Sequence, residues 1–340
     1  MKRLSSLTGL NLNSIEAIGL DVAKEKIDIC LFSSQQSLFY RIANNSQAIY
    51  QFSTDLTKNG LLKTVPFVLE STWIYHLQCA LQLADDWWDV KEINPIITHQ
   101  QIGYTIRWTK TDTTDSLLLA ELWVTKWKKL HSFKRNRKII ELRKKVGLLA
   151  WVEKTMQAIK AQYDSYVKSA RILWINTNDV DFVRKSLEDL NKCKKELEKS
   201  IIFESVDEGW TRRIEIIDSI TWISPLIAKI CYTTFASNDF ESKKQMLAYV
   251  WLDPKLRQSW TKSWSYKMSK RWNAFTRKKL FQAAFCWIQH SKQYNYIYNR
   301  EIEKWKHHFE AVLTVVKKMI YTIRSLIKKN EMFDPNYCAM

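Results

Sequence analysis

The order of apolar segments in the first third of the chain most constrains its fold. Three short runs of strand-like composition, at residues 17–23, 27–32 and 37–42, follow one another with only turns between them. Two further runs, at residues 64–70 and 90–93, each follow a segment with helical periodicity. This βββαβαβα order predicts an α/β domain in which helices cover a mixed sheet.

Acidic residues stand at the ends of these predicted elements. Asp21 ends the first strand and Glu70 ends the fourth. Asp112 and Asp115 lie three residues apart at the predicted start of a helix, so both carboxylates lie on one helix face. An ordinary acidic first turn would account for these two aspartates equally well. A carboxylate at the end of a buried strand must be paired, exposed at the edge of the sheet or bound to a cation.

Convergence of the four acids would create a site of hard oxygen ligands. Such a site suits two Mg²⁺ ions, which activate a hydroxyl group and stabilise the leaving oxygen in phosphodiester chemistry. RNase H/RuvC-like nucleases have this arrangement, with one acid on the first strand, a second on a later strand and the last acids on a helix. We therefore predict an RNase H/RuvC-like domain whose metal ligands are Asp21, Glu70, Asp112 and Asp115.

The positive charge of the chain is concentrated in two blocks. The formal net charge of the 340 residues is +18. Residues 126–145 contain ten Lys or Arg against one acid, and residues 261–280 contain seven and no acid. Such blocks favour a polyanionic partner, although a solvated basic face is the alternative. The predicted nucleic-acid contacts are Lys110, Lys134, Arg135, Arg137, Lys270, Arg271, Asn273 and Arg277.

Other compositional features narrow the class of protein. The six cysteines lack CxxC spacing, which predicts reduced thiols and no zinc site or disulfide framework. No apolar run has the length of a membrane span, and the N-terminus lacks an export signature. We therefore expect a cytoplasmic protein without membrane contact.

The remainder of the chain is predicted to be helical. Apolar stripes between residues 138 and 201 indicate two long helices, broken near residues 176–179, that form a hairpin or coiled-coil spacer. Simple helix packing is the alternative explanation of the stripes. Residues 216–228 have the layout of a helix-hairpin-helix, with Trp222 at the hairpin position that Gly normally occupies. We predict three segments, namely an α/β domain at 15–130, the spacer at 131–210 and a mainly α domain at 211–330.

Motifs over nearly the whole chain resemble the DEDD transposases of the insertion-sequence one-ten family, relatives of the Piv invertases. In the first domain these motifs are IGLDVAK at 18–24, LEST at 69–72 with Tyr75 and His76, NP at 94–95, and KTDTTD at 110–115. In the C-terminal part they are residues 240–252, Pro254, RQSW at 257–260, Ser263, SKRWN at 269–273 and Arg277.

This resemblance implies a transposase or site-specific recombinase of a mobile element. It implies Mg²⁺-dependent strand cleavage and exchange, with the four acids as metal ligands and Ser259 as the nucleophile that forms a covalent link to DNA. It also implies double-stranded donor and target DNA, a structured guide RNA, and assembly as a homodimer or tetramer. Two alternatives stay open, a RuvC-like structure-specific nuclease that uses the acidic tetrad alone and a decayed transposase that only binds nucleic acid.

The chain contains 6 Gly and 16 Trp, whereas about 24 Gly would be usual at this length. The resembled family has Gly where this chain has Trp73, Trp222, Trp251, Trp260 and Trp272, and we assign Trp87, Trp108 and Trp305 to the same set. Gly allows positive φ and close approach to phosphate, which Trp does not. We hypothesise that UGA codons written here as Trp are decoded as Gly in the source organism. The alternative is a Trp-rich protein that stacks on DNA bases.

Overall fold

The structure is a computed structural model that describes residues 12–71, 74–95, 98, 112–125, 132–133, 135–236, 240, 242–249, 254–255, 267–268 and 274–334. The chain divides into two compact units, Met1–Arg135 and Asn136–Met340. The first boundary predicted from the sequence, near residue 130, lies close to this division. The predicted separation of a spacer from a C-terminal domain stays a prediction.

The first unit is a five-stranded sheet with helices. Its elements are β1 (Ala17–Val22), β2 (Lys26–Phe32), β3 (Ser37–Ala43), α1 (Ser46–Lys58), β4 (Phe67–Glu70), α2 (Tyr75–Asp85), β5 (Val90–Ile93) and α3 (Asp112–Thr125). The strand order is β3-β2-β1-β4-β5. β1, β2 and β3 pair antiparallel, whereas β1, β4 and β5 pair parallel. The prediction of a mixed sheet with helices is confirmed.

Local sequence chemistry sets both ends of α1. The side chain of Asn45 accepts a hydrogen bond from the amide of Ala48 at 2.9 Å, which caps the first turn. At the other end Gly60 has a φ of +83°. The amide of Leu61 then donates to the carbonyl of Leu56 at 3.1 Å and closes the last turn.

The two faces of the sheet carry different side chains because neighbouring residues of a strand point to opposite faces. One face packs against α1 and α2 through a core that includes Ile18, Leu20, Phe67 and Leu69. The other face packs against α3, where Val68 and Ile93 meet three leucines, Leu118, Leu119 and Leu122. By this alternation, Gly19 and Asp21 of β1 and Glu70 of β4 lie on the α3 face.

Gly19 allows α3 to rest directly on β1. A Cβ atom at this position would overlap the carbonyl oxygen of Ser116 and lie 2.9 Å from the amide nitrogen of Ala120. Both of these are backbone atoms of α3, so no side-chain rearrangement can make room. The position of α3 over the strand therefore requires glycine at residue 19.

The second unit is mainly helical, as predicted. Its elements are α4 (Arg137–Leu173), α5 (Asp181–Phe203), α6 (Glu208–Asp218), α7 (Pro225–Cys231), α8 (Lys243–Tyr249), β6 (Pro254–Lys255), β7 (Lys267–Met268), α9 (Ala274–His290), α10 (Lys292–Glu303) and α11 (His308–Lys329). Ile139, Leu142 and Val146 near the start of α4 share one core with Trp287 of α9 and Val315 of α11. The base of the predicted spacer thus packs into the C-terminal core.

Two further sequence expectations concern membrane spans and cysteines. Over the described part of the chain, no helix is long and apolar enough to cross a lipid bilayer. Among the described residues the cysteines are free thiols, and Cys30, Cys79 and Cys231 are buried. Burial raises the pKa of each of these three thiols to about 12, so they are unreactive core residues at neutral pH.

Replacement of Gly19 by Ala tests the contact between β1 and α3. Overpacking typically costs ~1–3 kcal/mol. We expect Gly19→Ala to lower the free energy of unfolding by an amount in the upper part of this range, because the new methyl group meets helix backbone. Gly147 of α4 is the matched control, since a Cβ there meets nothing within 4 Å. Gly147→Ala should raise the free energy of unfolding by about 0.5–1 kcal/mol. Equal thermal unfolding curves for wild type and Gly19→Ala would contradict the contact.

Candidate active site

Asp21 and Glu70 stand at neighbouring strand ends. In the parallel pair of β1 and β4, Leu20 is the partner of Leu69, and the next residue of each strand is one of these acids. Glu70 is in turn the partner of Ile93 in β5. Side chains in register on adjacent strands point to the same face. Both carboxylates therefore lie at the carboxyl edge of the sheet on the face that α3 covers.

Asp115 belongs to the helix that covers this face. It directly precedes Ser116, whose carbonyl oxygen lies against Gly19. Gly19 is two residues before Asp21 on the same face of β1, so the close contact brings the first turns of α3 to the β1 segment that carries Asp21. Asp115 is half-buried, and its Oδ1 atom is shielded from solvent. Asp112 is the first residue of α3, and its side chain lies outside the described residues.

The chemistry of these side chains fits a divalent cation. Carboxylate oxygens are the hard ligands that Mg²⁺ and similar ions select. Among the side chains that the structure describes, which exclude Asp112, no three His, Cys, Asp or Glu residues come close enough to hold a metal ion. The donor set therefore suits a metal, while convergence of the whole tetrad stays a prediction.

The carboxyl end of β1 is held by a residue that sequence reasoning missed. The Nδ2 atom of Asn44 donates to the carbonyl of Ala23 at 2.8 Å and to the carbonyl of Tyr75 at 3.2 Å. These two bonds tie the chain just beyond Asp21 to the first residue of α2. The only signal in the sequence was a polar residue two positions after the predicted third strand, and this signal does not identify a partner.

His76, part of the motif around Glu70, does not face the acids. It is buried, and its Nε2 atom lies 3.2 Å from Oε1 of Glu92. Glu92 is in register with Leu69, whose side chain belongs to the core beneath α1 and α2. The pair of His76 and Glu92 therefore lies on the opposite face from Glu70 and joins α2 to β5.

Several predicted site residues lie outside the described part of the chain. They are Ser259, Lys110, Lys134, Lys270, Arg271 and Asn273. Of the predicted nucleic-acid contacts that the structure describes, Arg135 and Arg137 are exposed. Arg135 also donates to the carbonyl of Ala84 at 3.0 Å.

Arg277 differs from these two residues. It is only 7% exposed, and burial lowers the pKa of its guanidinium. This environment does not suit a direct contact with a phosphate, so we retain Arg135 and Arg137 and leave Arg277 out of the proposed interface.

Two lysines of the second basic block bind a carboxylate of the protein itself. Nζ of Lys278 and Nζ of Lys279 lie 2.8 and 2.6 Å from the carboxylate of Glu153 in α4. Lys194 of α5 lies 3.6 Å from the same group. Glu153 is buried and joins α4, α5 and α9. Burial alone would raise the pKa of Glu153, but hydrogen bonds from Lys278 and Lys279 lower it overall.

Two protein-family models match the chain. Residues 18–170 match a family model for DEDD transposases of the IS110 type. Residues 214–299 match a second family model, described as transposase of the IS116/IS110/IS902 family. The first match includes all four acids, and the second includes Ser259 and α9. The sequence has no match among curated proteins.

Replacement of Glu153 by Gln tests the lysine cluster. We expect Glu153→Gln to lower the free energy of unfolding by about 1–3 kcal/mol at neutral pH, because the buried Lys279 loses its counter-charge. The folded-state pKa of Glu153 is lowered from 4.5, so its contribution is present above that pH and is lost as the pH falls. The difference between variant and wild type should therefore shrink below about pH 4.5.

The control for this measurement is Glu303→Gln, because Glu303 is exposed at the end of α10. Its effect on stability should be within about 0.5 kcal/mol at every pH. Urea unfolding of the full chain at several pH values provides the comparison. A constant difference between Glu153→Gln and wild type from neutral pH to pH 3 would contradict the ion pairs.

Proposed function

This chain belongs to the IS110-family DEDD transposases and is a DNA transposase, and we propose that two sets of residues carry out its strand cleavage and exchange. The first set is the acidic tetrad, Asp21, Glu70, Asp112 and Asp115, in an RNase H/RuvC-like domain. The second is Ser259 in the C-terminal part. The proposal rests above all on Asp21 and Glu70, which lie in register near the carboxyl ends of adjacent parallel strands beneath α3.

The tetrad is proposed to hold the divalent cation that the family uses, which we expect to be Mg²⁺ with two ions. Such an ion supplies electrostatic stabilisation of charge that develops on phosphate oxygens. The protein contributes the fixed positions of the ligands. Asp21 and Glu70 are fixed by sheet register, and Asp115 is fixed by the packing of α3 on Gly19.

Ser259 is proposed to act as the nucleophile. Its hydroxyl oxygen attacks the phosphorus of a DNA phosphodiester, and the bond from phosphorus to one sugar oxygen breaks. The serine proton ends on that sugar oxygen, which leaves as a hydroxyl group. The reverse reaction with a hydroxyl of another strand joins that strand and releases the serine. A covalent link conserves the energy of the broken phosphodiester, so exchange requires no external energy source.

The proposed partners are double-stranded donor and target DNA and a structured guide RNA, bound by a homodimer or tetramer. The net charge of +18 supports binding to polyanions of either kind. Arg137 at the start of α4 and Arg135 just before it are exposed cations in the first basic block. We propose that they contact nucleic-acid phosphates.

A covalent-adduct assay tests the serine and the tetrad together. The full chain, with Gly at the suspect positions Trp73, Trp222, Trp251, Trp260 and Trp272, is incubated with donor DNA, target DNA, flanking RNA of the element and Mg²⁺. Denaturing gels then detect protein linked to labelled DNA. We expect Ser259→Ala and Asp115→Ala each to lower adduct formation by at least about 100-fold.

Two matched variants serve as controls. Ser265→Ala removes a hydroxyl group six positions after Ser259 in the sequence, and Asp55→Asn removes a carboxylate of α1, on the other side of the sheet from α3. Both should keep adduct formation within about threefold of wild type. Cleaved DNA without an adduct, unaffected by Ser259→Ala, would show a nuclease that uses the tetrad alone. Binding without any cleavage under all conditions would indicate a binding module.

Removal of divalent cations tests the metal assignment. We expect EDTA to abolish adduct formation and added Mg²⁺ to restore it. The reason is that carboxylate oxygens bind Mg²⁺ weakly enough for the ion to be removed by a chelator and replaced. Isothermal calorimetry with Mg²⁺ on the protein alone gives a second readout, and Asp21→Asn with Glu70→Gln should remove the heat of binding. Full adduct formation in EDTA would overturn the metal assignment.

A further inference from the structure

Tryptophan occupies backbone positions that L side chains avoid. Within the described residues, five non-Gly residues have φ in the left-handed region: Trp87 at 66°, Trp174 at 58°, Trp222 at 74°, Trp305 at 58° and Asn330 at 57°. Asn tolerates this conformation, whereas a bulky residue there is an outlier. Four of the five are Trp, although Trp provides only 16 of 340 residues. A chance distribution of Trp does not explain this concentration.

Three of these tryptophans end a helix in the same way. In each case the amide of the following residue donates to a carbonyl five positions back, and this bond wraps the last turn. The bonds are Trp88 to Leu83 at 3.0 Å after α2, Ile175 to Ala170 at 2.9 Å after α4, and Lys306 to Glu301 at 3.3 Å after α10. This helix end places the residue after the cap in the left-handed region, which is why that residue is usually Gly.

Two other helices of the chain show which residues this geometry normally takes. Gly60 follows α1 and is accompanied by the bond from Leu61 to Leu56, and Asn330 follows α11 and is accompanied by the bond from Glu331 to Leu326 at 3.2 Å. Gly and Asn are the two residues that adopt the left-handed conformation at low cost. The three Trp positions therefore have the same backbone role as Gly60.

The indole rings at two of these positions have no packing role that would offset the unfavourable backbone. Trp174 is 95% exposed and Trp305 is 97% exposed. Trp87 is also largely exposed, with its ring beneath the guanidinium of Arg135. An exposed ring gains little from burial, so the side chain does not explain why Trp stands there.

Trp222 lies in the turn between α6 and α7. The amide of Ile223 donates to the carbonyl of Ile220 at 3.1 Å, so Trp222 is the third residue of a β-turn. A positive φ at that position requires Gly or Asn in most turns. This ring does have a partner, since it stacks on His290 at 4.5 Å.

Other tryptophans of the same chain have the opposite character. Trp88 is buried and donates its Nε1 hydrogen to Oγ of Ser53 at 2.8 Å. Trp287 is buried in the core of the second unit, 4.1 Å from the ring of Tyr294. Neither has a left-handed backbone. Backbone conformation and burial thus distinguish these two Trp from the four with positive φ.

We infer that the native residue at positions 87, 174, 222 and 305 is Gly, whereas Trp88 and Trp287 are genuine tryptophans. One codon written here as Trp would then be decoded as Gly in the source cell, while the ordinary Trp codon keeps its meaning. Trp174 is included because of its positive φ alone, since no sequence motif indicated Gly at that position. The exposed rings are consequently not a stacking surface for nucleic-acid bases.

The coding sequence and the native protein test this inference directly. We expect UGA at codons 87, 174, 222 and 305 and UGG at codons 88 and 287. Peptide mass spectrometry on protein from the source cell should find Gly at the first four positions and Trp at the other two. UGG at codons 174 and 305, or native peptides that contain Trp there, would overturn the inference.

Stability of the full chain provides an independent test on recombinant protein. We expect Trp174→Gly and Trp305→Gly each to raise the midpoint of thermal unfolding by about 2–4 °C, because the backbone strain is relieved. Trp174→Ala and Trp305→Ala remove the ring but keep a Cβ atom, so they should raise it less. Gly60→Trp and Trp287→Gly should both lower the midpoint. Ala variants at least as stable as the Gly variants would overturn the backbone argument.

Discussion

The close contact between Gly19 and α3 is the constraint on which the proposed acidic site depends. A hydrogen atom in place of a side chain lets the helix backbone lie against β1 at Ser116 and Ala120. The helix that begins with Asp112 thereby covers the face on which Asp21 and Glu70 end their strands. Sheet register and one glycine contact together position residues that are almost one hundred positions apart in the sequence. This arrangement gives a DNA transposase a fixed edge of carboxylates.

The positive charge of the protein is divided between internal and external roles. Lys278 and Lys279 neutralise Glu153 within the second unit, and Lys145 binds Glu204 and Glu141. A buried carboxylate is stable only with such partners, which fix the packing of three helices. Exposed cations such as Arg137 are the ones that we propose to contact phosphates. Net charge alone therefore overstates the size of a nucleic-acid interface.

The periodicity of apolar residues and the turns between apolar runs predicted the strands and helices of the chain well. The five strands of the first unit lie close to their predicted positions, because each depends on residues near one another in sequence. Asn44 and Glu153 could not be identified in that way. Ala23, one partner of Asn44, lies 21 residues away, and Lys278, one partner of Glu153, lies 125 residues away. No local pattern specifies such a partner.

The sequence by itself determined the strand and helix order, the acids at strand ends, the basic blocks and the imbalance between Gly and Trp. These are properties of composition and of local spacing. The tertiary structure decided which face each residue occupies, with His76 turned away from Glu70 and Arg277 buried. It also decided which tryptophans stand in left-handed backbone and which fill a core. The physical reason is that burial and backbone conformation at a residue depend on elements that pack against it from distant parts of the chain.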